Sequence, residues 1–154
     1  MRFDFSDEVQ GKWFDFFESK ENEDGTVTFF DPKEGDGKVC FRRPPPDVLE
    51  GIHSQTRKNV EKIVRDPVSR AMVRIKDFDQ TPEQKAREME LFWDYAIQEW
   101  EDINDASGNP APCTTENKNK VMTRSIRFIR FAGQCMKLLS EVEANTSEGS
   151  TKNS

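Results

Sequence analysis

The strongest hydrophobic pattern in the chain lies over residues 89–103, where Met89, Trp93, Ala96, Trp100 and Ile103 recur at spacings of three and four, with Phe92 and Ile97 widening the stripe. Positions three and four apart share one face of an α-helix, and a stripe this wide is what a core-facing helix needs. Glu88, Asp94, Gln98 and Asp102 lie off this stripe. A start signal precedes the stripe: Thr81-Pro82-Glu83-Gln84 offers a threonine cap, proline at the first helical position, then an acid and an amide in the first turn. The pattern predicts a helix from Pro82 to about Ile103. It stops in Asn104 to Pro112, NDASGNPAP, a run of turn formers in which Gly108 is expected to supply a positive φ while Pro110 and Pro112 stiffen the exit.

Upstream the pattern changes. Val9 to Phe17 and Thr26 to Phe30 are rich in aromatic and β-branched residues and flank a breaker cluster ending in Asp24-Gly25, which predicts a β-hairpin; Lys38 to Arg42 reads as a third strand. Three short strands with one apolar face need a cover, and the helices that follow supply it. Pro44-Pro45-Pro46 separates the two parts. Asp47 reads as the cap of a helix reaching about Arg65, burying Val48, Leu49, Ile52, Val60, Ile63 and Val64 across a polar gap and with Gly51 weakening its first turn. Asp66-Pro67 interrupts it, and Val68 to Asp79 reads as a short helix or a connector.

Beyond the turn, Thr114 or Thr115 caps a further helix with Glu116 in its first turn. Helical spacing continues through Val121, Phe128, Ile129, Ala132, Cys135, Met136, Leu139 and Val142, with a break at Thr123-Arg124-Ser125. The small polar tail, 145–154, is expected to be disordered. The fold class expected is therefore α+β: a small N-terminal antiparallel sheet, hairpin plus third strand, followed by a C-terminal part of about four helices. Residues 1–144 would form one domain, β-rich and acidic over 1–43 and helical over 44–144.

Length and charge narrow the picture. A chain of 154 residues has room for one ordinary domain. Its hydrophobic and charged shares are equal at 34%, so the core must be lean and the loops generous, with twelve Phe and three Trp supplying most of the buried area. The net charge of −6 is concentrated: residues 1–37 hold eleven acids against four bases, a balance of −7. Such a segment repels phosphate backbones and anionic lipid, which disfavours a general nucleic-acid or membrane role for that segment. No apolar run approaches the roughly 20 residues of a membrane span, and no secretory leader is visible. Cys40, Cys113 and Cys135 are odd in number and far apart, without a CxxC pair, which fits a reducing, cytoplasmic setting.

Candidate chemistry is sparse. A calcium loop placed over Asp102 to Gly108 fails in register, because Ile103 and Thr114 would fall where acids are required. His53 is the only histidine, and no spacing sets it beside a cysteine. Carboxylate pairs such as Glu88 with Glu90, or Glu99 with Asp102, are what 29 acids produce by chance. Phosphate-binding glycine loops, GxSxG and HExxH are absent. The expectation is a protein that is not an enzyme and uses no metal or cofactor. Arg124, Arg127 and Arg130 repeat every three residues beside Lys118, Lys120 and Lys137. Such a stripe either contacts phosphates or pairs with the acidic N-terminal segment of its own or a neighbouring chain.

Trp93 through Asn117, WDYAIQEWEDINDASGNPAPCTTEN, resembles the tail assembly chaperones of long-tailed bacteriophages and prophages. Many of that family carry an aromatic helix ending in Trp, a turn of the form D-x-x-G-x-P-x-P, and a threonine-started helix with Glu-Asn in its first turn. Here those elements are Trp100, Asp105, Gly108, Pro110, Pro112, Thr115, Glu116 and Asn117. The later helix with Phe128 and Phe131 is similar to the family's last helix, and Gly11-Lys12-Trp13-Phe14 with Val39-Cys40-Phe41 fits more loosely the strand-rich start of some relatives. The resemblance implies a cytoplasmic, non-catalytic protein that binds the tape measure protein, keeps its apolar segments soluble, recruits the tail tube protein, and is missing from the mature virion. Helix-in-groove docking would use Trp93 and Trp100 or Phe128 and Phe131, with Arg124 and Arg127 beside them, and the same surfaces would support a homo-oligomer. The alternatives are a structural tail or connector component and a small nucleic-acid-binding regulator acting through the arginine stripe.

Overall fold

A computed structural model describes the backbone of residues 1–3 and 8–152 and the side chains of 1–3 and 8–142. In chain order the elements are β1 (Lys12–Asp15), β2 (Ser19–Glu21), β3 (Val27–Phe29), β4 (Lys38–Phe41), α1 (Pro46–Thr56), β5 (Lys58–Arg65), β6 (Met72–Asp79), α2 (Pro82–Ala96), β7 (Ile97–Glu101), α3 (Thr115–Arg124) and α4 (Ile126–Lys152). The fold is α+β, with small antiparallel sheets and helices that lie mostly in the C-terminal part. The helical backbone of α4 takes in most of the stretch expected to be a disordered tail; 153–154 lie outside the described residues. The chain divides into two compact units, Met1–Pro44 with Trp93–Ser154, and Pro45–Phe92.

In the first unit a three-stranded sheet runs in the order β1-β4-β7, all antiparallel. The third strand expected near residue 38 is its centre. The hairpin forms with different partners from those expected: Ser19–Glu21 pairs with Val27–Phe29, closed at Asn22 and Gly25, while Lys12–Asp15 pairs with β4. The short β2–β3 loop is stabilised by Asp24, whose Oδ1 accepts from the Thr26 amide at 3.0 Å and from its hydroxyl at 2.6 Å. Gly37, at φ 90°, leads into β4; a Cβ there would sit 2.6 Å from the Asp102 carbonyl oxygen, so neither the conformation nor the space admits another residue.

The long helix predicted over 82–103 is a helix only to Ala96; Ile97–Glu101 is the edge strand β7. The register explains the misreading. Val39 pairs with Trp100 and Phe41 with Ile97, although the β4 residues are two apart and the β7 residues three. A bulge absorbs the extra residue and brings Ile97 and Trp100 onto one face, so a spacing of three that suggests a helix here arises in a strand. The helix can end at Ala96 because its last carbonyls find distant donors: Lys118 Nζ to Asp94 O at 3.0 Å, Arg42 Nε to Tyr95 O at 2.8 Å, and the Arg42 amide to Ala96 O at 2.9 Å. The core is aromatic, joining Phe16, Val39, Phe41, Ile97 and Trp100 to Phe128, Phe131, Ala132 and Cys135 of α4.

The second unit holds α1, the β5–β6 hairpin and α2 through Phe92. The helix expected over 47–65 breaks at Thr56, and the short helix or connector expected over 68–79 is largely the strand β6. Pro46, not Asp47, opens α1; Pro45 is its cap and Asp47 lies in the first turn. The break is fixed by a partner distant in the sequence. Thr56 is fully buried with its hydroxyl donating to Ile52 O at 2.8 Å, and the next residue, Arg57, turns extended and donates from Nε to Glu88 Oε1 at 2.6 Å. The β-branched run that follows then continues as a strand. The capping box predicted for α2 is present: the Gln84 amide donates to Thr81 Oγ1 at 3.1 Å, and the Thr81 amide to Gln84 Oε1 at 2.9 Å.

Candidate functional site

Most residues singled out for partner binding are taken by the chain's own core. Trp100, Phe128 and Phe131 are buried, and Trp93 packs against the same cluster. Phe131 stacks against Phe16 at 4.9 Å, Phe17 at 5.1 Å and Phe41 at 5.6 Å between ring centroids. The expectation that these aromatics face a partner is therefore corrected for Trp100, Phe128 and Phe131. Trp100 also ties down the turn: its indole Nε1 donates to Ala111 O at 2.7 Å.

The turn itself forms as its residues suggest. Gly108 has φ 84°, the Asp105 carboxylate accepts from the amides of Ser107 and Asn109 at 2.9 Å each, and a bridge pairs Asn104 with Pro110. Pro112 precedes the cap of α3, where Thr114 Oγ1 accepts from the Asn117 amide at 3.2 Å. Thr115 instead donates to Asp94 Oδ1 at 2.8 Å. These bonds hold the backbone of the corner in place.

The arginine stripe is split. Arg124 ends α3, whereas Arg127 and Arg130 lie on α4. Arg127 pairs with Glu18 and stands over the Phe16 ring, so the chain's own acidic segment takes this cation. Beside that pair lies an open depression of about 190 Å³ lined by Phe16, Phe17 and Phe30 together with Glu18, Asp31, Asp36 and Lys33. Its volume is below the roughly 300–1,000 Å³ of small-molecule sites, which suits the insertion of a side chain better than a metabolite.

A run of exposed apolar side chains lies on the β5–β6 ribbon, a feature the helical reading of 47–65 concealed. Ile63 is 63% exposed, Met72 60% and Val68, at the tip, 92%; Val64, Ile75 and Phe78 are also exposed. Two runs of β-branched residues on either side of Asp66-Pro67 were the available signal. At the tip Asp66 Oδ1 accepts from the Val68 amide at 2.8 Å, a bond that holds its carboxyl below the ordinary range. The register sorts the ribbon into two faces. On one, Lys62 lies 3.0 Å from Asp77 and 3.8 Å from Asp79; its hydrogen bond to Asp77 raises the ammonium pKa and lowers that of Asp77. On the other, Ile63 pairs with Arg74 and Arg65 with Met72, next to Lys76.

The remaining titratable groups have structural surroundings. Glu88 receives Arg57 and is held below the ordinary glutamate range chiefly by that hydrogen bond, with His53 Nε2 3.9 Å away. Burial raises the thiol of Cys113 to about 11 and pushes Cys135 up further. Among the described residues no cluster of His, Cys, Asp and Glu is grouped as a metal site requires, and no helix is long and apolar enough to cross a membrane. Neither protein-family models nor searches of curated proteins and of solved structures returned a match.

Proposed function

We propose that this chain acts by holding other protein chains, as a tail assembly chaperone of a phage or prophage that binds the tape measure protein and promotes assembly of the tail tube protein around it. One observation supports the reading above others: the β5–β6 ribbon exposes Ile63, Val64, Val68, Met72, Ile75 and Phe78. A two-stranded ribbon is marginal alone, and its unpaired edges and apolar side chains suit an extended or helical client segment with an apolar stripe. The docking surface is thus moved from Trp93, Trp100, Phe128 and Phe131 to the ribbon. The family assignment itself rests on the resemblance over residues 93–117.

The test is co-expression of the whole chain with the tape measure protein encoded beside it. The soluble yield of the tape measure protein should rise, the two should co-purify, and Ile63→Ser with Met72→Ser should weaken capture while leaving the chaperone folded. A well-folded chain that neither binds nor solubilises that client would sink the proposal. Mass spectrometry of purified particles separates the alternative: a chaperone is missing from them, whereas a structural tail or connector subunit is present in many copies.

A further inference from the structure

The ribbon's two faces differ in a way that client capture does not explain. Lys62 has its counterions, Asp77 and Asp79, on its own face. Across the ribbon Arg65, Arg74 and Lys76, the last opposite Glu61, make no ion pair among the described residues and alternate with Ile63 and Met72, the most exposed large apolar side chains of the two strands. The opposite composition occurs in the first unit. The depression there is lined by three Phe with Glu18, Asp31 and Asp36 against the single cation Lys33, in the segment that holds the chain's −7 balance. Asp31 and Asp36 also lack an ion-pair partner among the described residues. The chain already uses this chemistry once at the depression's edge, where Arg127 pairs with Glu18 over the ring of Phe16.

We propose that the Ile63–Arg65–Met72–Arg74 face of the ribbon in one copy docks in the Phe16–Phe17–Phe30 depression of a second copy. An apolar side chain, Met72 or Ile63, would enter among the phenylalanines while Arg65, Arg74 and Lys76 meet Asp31 and Asp36. Charge complementarity selects this occupant over a nucleic acid for the pair of surfaces, because the depression repels phosphate and the ribbon attracts carboxylate. The contact joins two different patches. It therefore closes as a reciprocal pair of copies exchanging ribbons, or propagates head to tail. Because rim charges are screened within about 10 Å at 0.1 M salt, the association should weaken as salt rises.

The test is sedimentation equilibrium of the full chain across concentration and salt. The wild type should associate with rising concentration at low salt. Arg74→Glu with Lys76→Glu, and separately Asp31→Lys with Asp36→Lys, should each weaken self-association by at least about tenfold. Mixing the two variants should restore it, because the reversed ribbon then faces a reversed depression. Circular dichroism verifies that both remain folded, and Arg74→Gln with Lys76→Gln should show an intermediate loss. A wild type that stays monomeric at every concentration overturns the proposal, as does a weakening by one reversal but not the other. Salt-sensitive binding of duplex DNA by a chain that stays monomeric, abolished by the ribbon reversal, would overturn it and assign the face to nucleic acid.

Discussion

Replacing Phe131 with Ala tests the aromatic core directly. The side chain is 1% exposed, and its ring lies 4.9 Å from Phe16, 5.1 Å from Phe17, 5.6 Å from Phe41 and 5.9 Å from Phe128. Truncating a buried Phe typically costs about 3–5 kcal/mol, the spread reflecting how far the cavity collapses. Tilted ring pairs contribute about 0.5–1.5 kcal/mol each beyond area, and the loss of four such neighbours places Phe131→Ala near the top of that range, about 4–5 kcal/mol. Against a total stability of roughly 5–15 kcal/mol this is a large share. At about 2–4 °C per kcal/mol for a chain of this size, the melting temperature should fall by about 8–20 °C. Trp100 packs 6.1 Å from Phe128 in the same cluster; urea and thermal unfolding followed by far-UV circular dichroism read the loss. Phe131→Leu should cost less than half as much, and Ile126→Ala, at a 65% exposed position on the same helix, should stay within about 0.5 kcal/mol of wild type. A cost below about 1 kcal/mol for Phe131→Ala would refute the assignment of this ring to the centre of the core.

Gly108→Val should destabilise by about 1–3 kcal/mol through backbone strain alone, because φ is 84° and the space around a new Cβ is open; Gly108→Asn should cost visibly less, and equal melting temperatures for the two would refute a left-handed turn. Glu88 has its pKa lowered by Arg57, so the stability it adds is present above the unfolded value of about 4.3 and is lost as pH falls through the lower folded value. Glu88→Gln should therefore destabilise at neutral pH and flatten the acid limb of the stability curve; an acid limb unchanged in slope would dismiss the pair. Thiol labelling at pH 8 should modify Cys135 only on unfolding, because it is fully buried, while Cys113, with its thiol raised to about 11, should react far more slowly than a free cysteine; rapid labelling of Cys135 in the folded chain would contradict its burial.

Several signals whose partners lie within a few residues are legible, although the expected Asp47 cap is displaced to Pro45. The Thr81–Gln84 capping box, the positive φ of Gly108 and the Thr114 cap each depend on atoms three or four positions apart. The depression was not legible for the opposite reason: Phe16 and Phe17 lie between β1 and β2 and Phe30 follows β3, and they come together only because Lys12–Asp15 pairs with β4 and leaves Ser19–Glu21 to close on Val27–Phe29. The arginine stripe was half legible. Its pairing with the acidic N-terminal segment was one of two expectations, and Arg127 with Glu18 realises it at a separation of 109 residues.

By itself the sequence determined the class, α+β, the start of α2, the geometry of the turn and the aromatic makeup of the core. Tertiary structure decided where helices stop and which apolar residues remain exposed. A helix end leaves carbonyls that must find donors. At Ala96 those donors are Arg42 and Lys118, and at Thr56 the break is drawn toward Glu88; none is visible from neighbouring residues. The same long-range pairing put Ile97 and Trp100 on one face of a bulged strand, buried the aromatics that looked available to a partner, and left the stretch 58–79 as an exposed ribbon. Periodicity reports that a residue needs burial on some face, but the element opposite that face is chosen by the whole chain.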